Sequence, residues 1–349
     1  MSLKENSEEE VKSKGAVDAV DAIDTLDVVE VAKKKKSAKV KVKKSFSLND
    51  YRTNLDIEEI EYKEDEWIVL SQAYQDTTQL PGIPMYGITM VYGHPDSGKS
   101  TLALEAAKGA INNNILPIFI NTEKKFNWSH ANEMGITQED MLYVDSIEEV
   151  EDICKFIRER LKDQREGDLP TDILIIVDSI GNVISRAEKV AIEKEEDGAI
   201  MKTAKVLTQQ IHRVIEKQIS ATKRAEFPYS ASLLIVNHAY DSIKVTKLIP
   251  YGGNGVIKAA SLVIRMGGII SNSTKVYATK NGINVSFAIK TDIVVEKNHI
   301  TNISVKDKIL CTAHGFVKNT TAALNDYKKD NKDGWDLRFD DDWDKYGDK

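Results

Sequence analysis

An α/β domain built on a mainly parallel central sheet flanked by helices is what this sequence predicts, and three observations predict it. Short apolar runs alternate with segments of helical composition from Gly87 to Asn237. Two of those runs, "ILIIVD" (173–178) and "SLLIVN" (232–237), are continuously apolar up to a polar last residue, the pattern of strands covered on both faces. A glycine-rich loop, "GHPDSGKST" (93–101), joins the first such run to the first helical one.

In chain order, residues 1–45 end in "KKKKSAKVKVKK", a density of lysine that favours a disordered basic tail. Residues 46–79 read as an N-terminal polymerisation or linker region, and 80–324 as the core. Within the core, "GITMVYG" (87–93) is a strand, "KSTLALEAAKGAI" (99–111) a helix and "LPIFIN" (116–121) a second strand. "SIEEVEDICKFIRERLKD" (146–163) reads as a helix opened by a capping box, Ser146 with Glu149. The strand "SLLIVN" stops at the polar pair Asn237–His238, and a loop without periodicity follows to Gly252, Gly253 and Asn254. After Ala260 the runs "SLVIRMGGII", "TKVYATK" and "VSFAIKTDIVVEK" extend the sheet. Residues 325–349 form an acidic tail in which Trp335, Phe339, Trp343 and Tyr346 alternate with aspartates.

The 349 residues, 41% hydrophobic and 30% charged, suffice for one large domain or two modest ones. A net charge of −7 argues against a generally basic nucleic-acid binder, so local charge carries any such function. Two cysteines exclude a disulfide framework and a four-cysteine zinc site, which points to a reducing compartment. No apolar run approaches the ~18 residues of a membrane helix, and "MSLKENSEEE" has no signal-peptide pattern. The expectation is a soluble intracellular protein that does not engage a membrane.

The loop 93–101 fits G-x-x-x-x-G-K-[ST] between a strand and a helix. Gly93 and Gly98 let the stretch His94, Pro95, Asp96 and Ser97 curl so that backbone N–H groups point at phosphate oxygens, with the helix dipole behind them. Lys99 would reach the β- and γ-phosphates of ATP, Ser100 would ligate Mg²⁺, and Thr101 would bond a more internal phosphate. Asp178 ends a parallel strand at the edge where such sheets bind ligands, so it would hold the metal through a water, with Ser179 assisting; its alternative use is as a helix cap. Glu123, in the loop after "IFIN", would polarise an attacking water; the alternative is a surface glutamate.

The ordered set "GHPDSGKST", "NTEKKF", "VDSIGNV", "IVNHAY" and "YGGNG" resembles the RecA family of recombinases, and within it the UvsX-type recombinases of tailed phages. The resemblance runs from about Leu80 to about Val317. It implies a RecA-like P-loop ATPase fold, Glu123 as the water-activating glutamate and Asp178 as the Mg²⁺-associated aspartate. It also implies His238 as γ-phosphate sensor, His130 as the ring against adenine and Asn127 at the base edge. In the family ATP lies between neighbouring protomers of a helical filament. Lys297 and His299 of "VVEKNHI" match the basic positions that reach the neighbour's γ-phosphate.

The family's first DNA-facing loop would be "SRAEKVAIEKEEDG" (185–198), a charge mixture here. In the helix that follows, Lys202, Lys205, Gln209, His212 and Arg213 share one side, and Met201, Ala204, Leu207, Ile211 and Ile215 another. The second loop would contribute Lys244, Lys247, Gly252, Gly253 and Asn254. Contacts of this kind read backbone, so binding would be largely sequence-independent and salt-sensitive. Phe46 in "KSFSLNDY" is the candidate polymerisation anchor. The expected activity is ATP-dependent pairing and strand exchange between single-stranded DNA and a homologous duplex. A single-strand-binding protein and a loader are further partners, and the location is the cytoplasm of a bacterial host. The competing classes are a hexameric helicase or translocase with the same core and a mediator ATPase that does not exchange strands.

Overall fold

The computed structural model describes residues 60–331, except 196–198, 242–247, 252–253, 268–270 and 281–282, together with Ser47, Tyr51, Arg52 and Leu55. The chain divides into two compact units, Met1–Glu58 and Glu59–Lys349. In the first, the Tyr51 N–H donates to the Ser47 carbonyl and the Leu55 N–H to that of Arg52, both at 3.1 Å. The lysine run 33–44 and Phe46 lie outside the described residues.

The second unit opens with β1 (Trp67–Val69), α1 (Gln72–Thr78) and β2 (Gly82–Pro84), β1 and β2 pairing antiparallel. Ile68 and Tyr74, in the part of this stretch that overlaps the expected 46–79 polymerisation or linker region, are fully buried.

Strands β3 (Ile88–Gly93), β4 (Leu116–Asn121), β5 (Leu142–Val144), β6 (Ile173–Asp178), β7 (Ala231–Asp241) and β9 (Leu262–Met266) run parallel in the order β9-β3-β7-β6-β4-β5. β11 (Ile283–Asn298), β12 (Lys306–Thr312) and β13 (Gly315–Lys318) extend the β9 edge antiparallel, with β10 (Lys275–Lys280) paired to β11 and β8 (Leu248–Pro250) to β7. Apart from the edge strand β5, whose Leu142 is exposed, the parallel strands are buried on both faces along their apolar runs. One face packs on α2 (Lys99–Asn112) through Leu102, Leu104, Phe119, Leu174 and Val236. The other packs on α4 (Val150–Glu166) and the long helical rod through Ile153, Ile157, Ile175, Ile211 and Leu233. No helix among the described residues is long and apolar enough to cross a membrane.

Five expectations change. The capping box does not form: α4 starts at Val150, its N-cap Glu149 makes no side-chain cap, and the Glu149 carboxylate is taken by Arg186 at 2.7 Å and Lys189 at 3.4 Å. The Val150 N–H instead bonds the Ile184 carbonyl at 3.1 Å. The loop expected over 185–198 therefore contains a helix, α5 (Arg186–Glu193), clamped to α4 by Arg186, which also pairs with Asp152.

The strand expected to stop at Asn237 continues through His238 to Asp241, because β8 pairs back on it with Ala239 opposite Pro250.

The rod of α6 (Ala199–Leu207), a π-helical segment (Thr208–Ile215) and α7 (Glu216–Ala221) buries Thr203, Leu207, Ile211, Ile215 and Ile219. That strict spacing of four drifts around an α-helix of 3.6 residues per turn, and the wider π turns keep it facing the sheet. Thr203 takes the inward place because its hydroxyl accepts from the Ser185 N–H at 2.8 Å and donates to the Ser185 Oγ at 2.9 Å. Met201, expected to pack, is 75% exposed. His212, expected on the presenting side, is half-buried, with its Nδ1 buried and unbonded.

Candidate nucleotide-binding and hydrolysis site

Parallel register brings the site together. Gly93 lies opposite His238 on β7 and Met266 on β9, and Asn121 lies opposite Asp178. The carboxyl ends of β3, β4, β6 and β7 thus converge on one edge, where α/β sheets bind ligands. They border a cleft of 1130 Å³ lined by residues 95–101, Glu123, Asn127, His130, Asp178 and His238.

The loop needs its glycines for separate reasons. Gly98 has φ +91°, in the left-handed region, and a Cβ there would fall on the Cys311 Sγ. A Cβ at Gly93 would fall on the Met266 carbonyl oxygen. Gly98 caps α2 without any side-chain bond, so the helix's first N–H groups remain for an anion. Lys99 is buried, donates from Nζ to the His94 carbonyl at 2.6 Å, and has its pKa lowered by that burial. Thr101 is buried at the first helical turn. Thr291 on β11 holds the loop from behind, its hydroxyl donating to the Ser97 carbonyl at 2.9 Å.

The Ser100 hydroxyl donates to Asp178 Oδ2 at 2.9 Å. Burial raises the Asp178 pKa to about 6, against the smaller pull of the Ser100 bond. Among the described residues no cluster of three or more His, Cys, Asp or Glu gathers for a metal. A hydroxyl beside one desolvated carboxylate fits Mg²⁺, a cation that keeps waters and phosphate oxygens as most of its ligands.

Glu123 is held more tightly than a loop glutamate would be. Its Oε1 accepts from the Ser179 hydroxyl and contacts His238 Nε2, while Lys125 Nζ stands 3.9 Å from Oε2. The His238 contact, with smaller help from Ser179 and Lys125, outweighs burial and lowers the carboxyl pKa to about 2. Ser179 is fixed in turn by Thr122, whose hydroxyl donates to the Ser179 carbonyl at 2.5 Å and accepts from its N–H at 3.0 Å. A carboxylate this acidic is a good acceptor for orienting water and a poor proton acceptor.

His238 stacks against the turn after β6. Asn182 Nδ2 lies 3.4 Å from its Nε2, and a Cβ on Gly181 would approach its Cδ2 to 3.0 Å. The neighbouring Asn237 is fully buried and donates from Nδ2 to the Tyr251 carbonyl at 2.8 Å. The Tyr251 N–H donates to the His238 carbonyl at 3.0 Å, and the Tyr251 ring packs 5.1 Å from Tyr240. The root of the second expected loop is therefore bonded to the residue that touches Glu123. Of that loop, Lys244, Lys247, Gly252 and Gly253 lie outside the described residues, and Asn254 is described only as the first residue of α8 (Asn254–Ala259).

At the other end of the cleft, Asn127 caps α3 (Trp128–Glu133), its Oδ1 accepting from the His130 N–H at 3.2 Å. His130 is half-buried, and burial lowers its pKa. An aromatic cluster pins this segment: Phe126 packs 4.9 Å from Phe119, 4.7 Å from Trp128 and 5.0 Å from Tyr143. Sequence reasoning missed Phe126, Trp128, Tyr143, Lys125 and Gly181, although all but Tyr143 lie inside or beside the motifs "NTEKKF" and "VDSIGNV".

The structure does not bring Lys297 or His299 to this cleft. Lys297 Nζ donates to the carbonyls of Ile257 (2.9 Å), Lys258 (3.2 Å) and Ala260 (2.5 Å), closing the end of α8, and burial lowers its pKa. The His299 side chain is exposed, its backbone N–H bonded to the Ser261 carbonyl at 2.9 Å. On the rod, Lys205, Gln209 and Arg213 form an exposed row at a spacing of four, and Lys202 is half-buried.

A family model described as "RecA N-terminal domain" matches residues 31–244. Curated relatives named "Protein RecA" match as well. That of Mannheimia haemolytica is 27% identical over 253 residues, covering 69% of this chain and 64% of the relative. That of Syntrophus aciditrophicus is 29% identical over 217 residues, 59% of each chain. That of Nitrobacter winogradskyi is 28% identical over 211 residues, 57% of this chain and 54% of the relative. The chain thus spans between 54% and 64% of the length of these relatives.

Proposed function

The chain belongs to the RecA family, and from that premise we propose that it is an ATP-dependent recombinase of the UvsX type, from a tailed phage. It assembles as a helical filament on single-stranded DNA, pairs that strand with a homologous duplex and exchanges strands. The observation that carries this reading is the contact of His238 with Glu123 on the one residue whose carbonyl is bonded to Tyr251, at the root of the second loop.

ATP phosphates would settle on the N–H groups of loop 93–98 and on Lys99, which would exchange the His94 carbonyl for a phosphate oxygen. Ser100 and Asp178 would hold Mg²⁺, which would supply charge neutralisation for the phosphates. Glu123 orients water towards the γ-phosphate. While His238 rests on it, the carboxylate is a weak base. When His238 turns to the γ-phosphate, the main cause of the lowered pKa leaves and Glu123 becomes a better proton acceptor. The same movement pulls on β7 and so on the loop between Asp241 and Asn254. His130 faces the base. Lys297 and His299 serve a neighbouring protomer's nucleotide, Lys297 by leaving the end of α8. The row Lys205, Gln209 and Arg213, with Lys202, Lys244, Lys247, Gly252, Gly253 and Asn254, contacts the DNA backbone. A single-strand-binding protein and a loader act with it in the host cytoplasm.

Strand exchange scored on homologous and non-homologous duplexes tests the reading, alongside electron microscopy with a non-hydrolysable ATP analogue and single-stranded DNA. Open filaments and homology-dependent products are expected. Closed rings would identify a motor, and filaments without exchange a mediator.

A further inference from the structure

At the opposite edge of the sheet from the cleft, where β6 and β7 begin, lies a separate cavity of 210 Å³. Its walls are the last turn of α4, helix α7 and the segment Phe227–Tyr229. The bond from Gln164 Nε2 to the Ser230 carbonyl, at 2.9 Å, ties α4 to the start of β7 beneath it. Nothing in the proposed ATPase cycle uses this place.

Its chemistry is specific. The interior is apolar and aromatic, with Leu161, Phe227 and Tyr229. Two cations, Arg165 and Lys217, stand exposed at the mouth. Neither makes a hydrogen bond or an ion pair with any described residue, whereas Arg160, Lys162, Lys223 and Arg224 nearby are all paired with carboxylates. The cavity thus asks for one large aromatic group flanked by negative charge.

The chain carries that ligand. Its segment 332–349 contains Asp342–Trp343–Asp344 within "DDDWDKY". The indole ring of Trp343 would pack on Phe227 and Tyr229. The two aspartates would meet Arg165 and Lys217. The described chain ends with α9 (Thr321–Asn331), and the twelve residues from Asn331 to Trp343 span up to about 40 Å when extended. From these observations we infer that the cavity between α4 and α7 is the docking site of the acidic, aromatic segment Asp340–Tyr346. Lys217 continues the exposed row of Lys205, Gln209 and Arg213 by one further step of four. A docked segment therefore places its aspartates at the end of that row.

The test is photo-crosslinking in the full chain, with p-benzoylphenylalanine at position 343 and adducts mapped by mass spectrometry. Adducts are expected in peptides holding 161–165 or 216–229. Their yield should fall about tenfold in the double variant Arg165→Glu, Lys217→Glu, as it does when clustered contacts at a small interface are removed together. ATP hydrolysis without DNA and the melting temperature report that the variant is folded. Should it not fold, Asp342→Lys with Asp344→Lys reads the same contact from the segment's side. Mixing isotopically heavy and light chains tells docking within one chain from docking on a second copy, and either result supports the site. Adducts that map elsewhere, or a yield that both charge reversals leave unchanged, would overturn it.

Discussion

Glu123 and His238 stand 115 residues apart in sequence and share one contact, imidazole Nε2 on carboxylate Oε1. His238 sits on the strand that carries Asn237 and meets Tyr251, so this contact joins the hydrolytic end of the cleft to the root of a loop.

Replacing His238 by alanine should separate binding from coupling. Nucleotide affinity should stay within about threefold, because the loop N–H groups and Lys99 carry it. The tightening of single-stranded DNA binding on ATP addition should disappear, read by fluorescence anisotropy with and without nucleotide. Unchanged tightening would exclude His238 as the link.

Glu123→Gln should keep nucleotide affinity and lower hydrolysis about 10²- to 10⁴-fold, the range for a lost general base. The pH signature follows from its lowered pKa. The folded chain holds this proton more weakly than the unfolded chain, so the associated stability is present above the ordinary glutamate pKa and is lost as pH falls from about 4 to about 2. Urea unfolding at neutral pH and near pH 3 should show a larger loss for the native chain than for the Gln variant.

Asp178 has the opposite sign. Its folded pKa is raised to about 6 by burial, so the folded chain holds the proton more tightly. The favourable part is complete below the ordinary aspartate pKa and is lost as pH rises through about 6. Asp178→Asn should therefore stabilise the nucleotide-free chain at pH 7–8 by about 2 kcal/mol, with no gain near pH 4. The same variant should lose Mg²⁺-dependent hydrolysis. Equal melting temperatures across that pH range would count against the buried-charge account.

Lys125 is 79% exposed and its pairing with Glu123 is long, so Lys125→Ala should shift stability by less than about 0.5 kcal/mol. It lines the cleft beside Glu123, so the KM for ATP should rise a few-fold, about 3- to 10-fold for one exposed charge–phosphate contact. Steady-state kinetics over a range of ATP concentrations reads this directly.

Gly98→Ala meets two obstacles, the left-handed backbone and the Cys311 sulfur. A loss of about 1–3 kcal/mol is expected from the backbone alone, together with loss of nucleotide binding. A Gly98→Ala, Cys311→Ala double variant should recover part of the stability and little of the binding, since only the sulfur contact is relieved.

Much of this was legible in the chain. The strands "LPIFIN" and "ILIIVD" fall where the apolar runs put them, because strands buried on both faces carry no competing pattern. The phosphate loop was legible from spacing alone. The continuation of β7 was not, since Asn237 looks like a strand breaker until Tyr251, fourteen residues on, supplies its buried amide with a carbonyl. The start of α4 was misread because Glu149 answers to Arg186, a partner no local rule anticipates. Met201 was misread because a fixed 3.6-residue period cannot foresee the π turns that hand its place to Thr203. Lys125 went unremarked because one exposed lysine carries no pattern of its own.

The aromatic cluster behind Glu123 also makes the molecule its own optical instrument. Trp128 opens the helix that carries His130, with Phe126 and Tyr143 within 5.2 Å of its ring. An indole held there is a natural fluorophore beside the base end of the cleft, and its emission should follow nucleotide arrival and departure in real time without any attached dye. With Trp67, Trp335 and Trp343 replaced by phenylalanine, the stopped-flow trace would belong to that one ring.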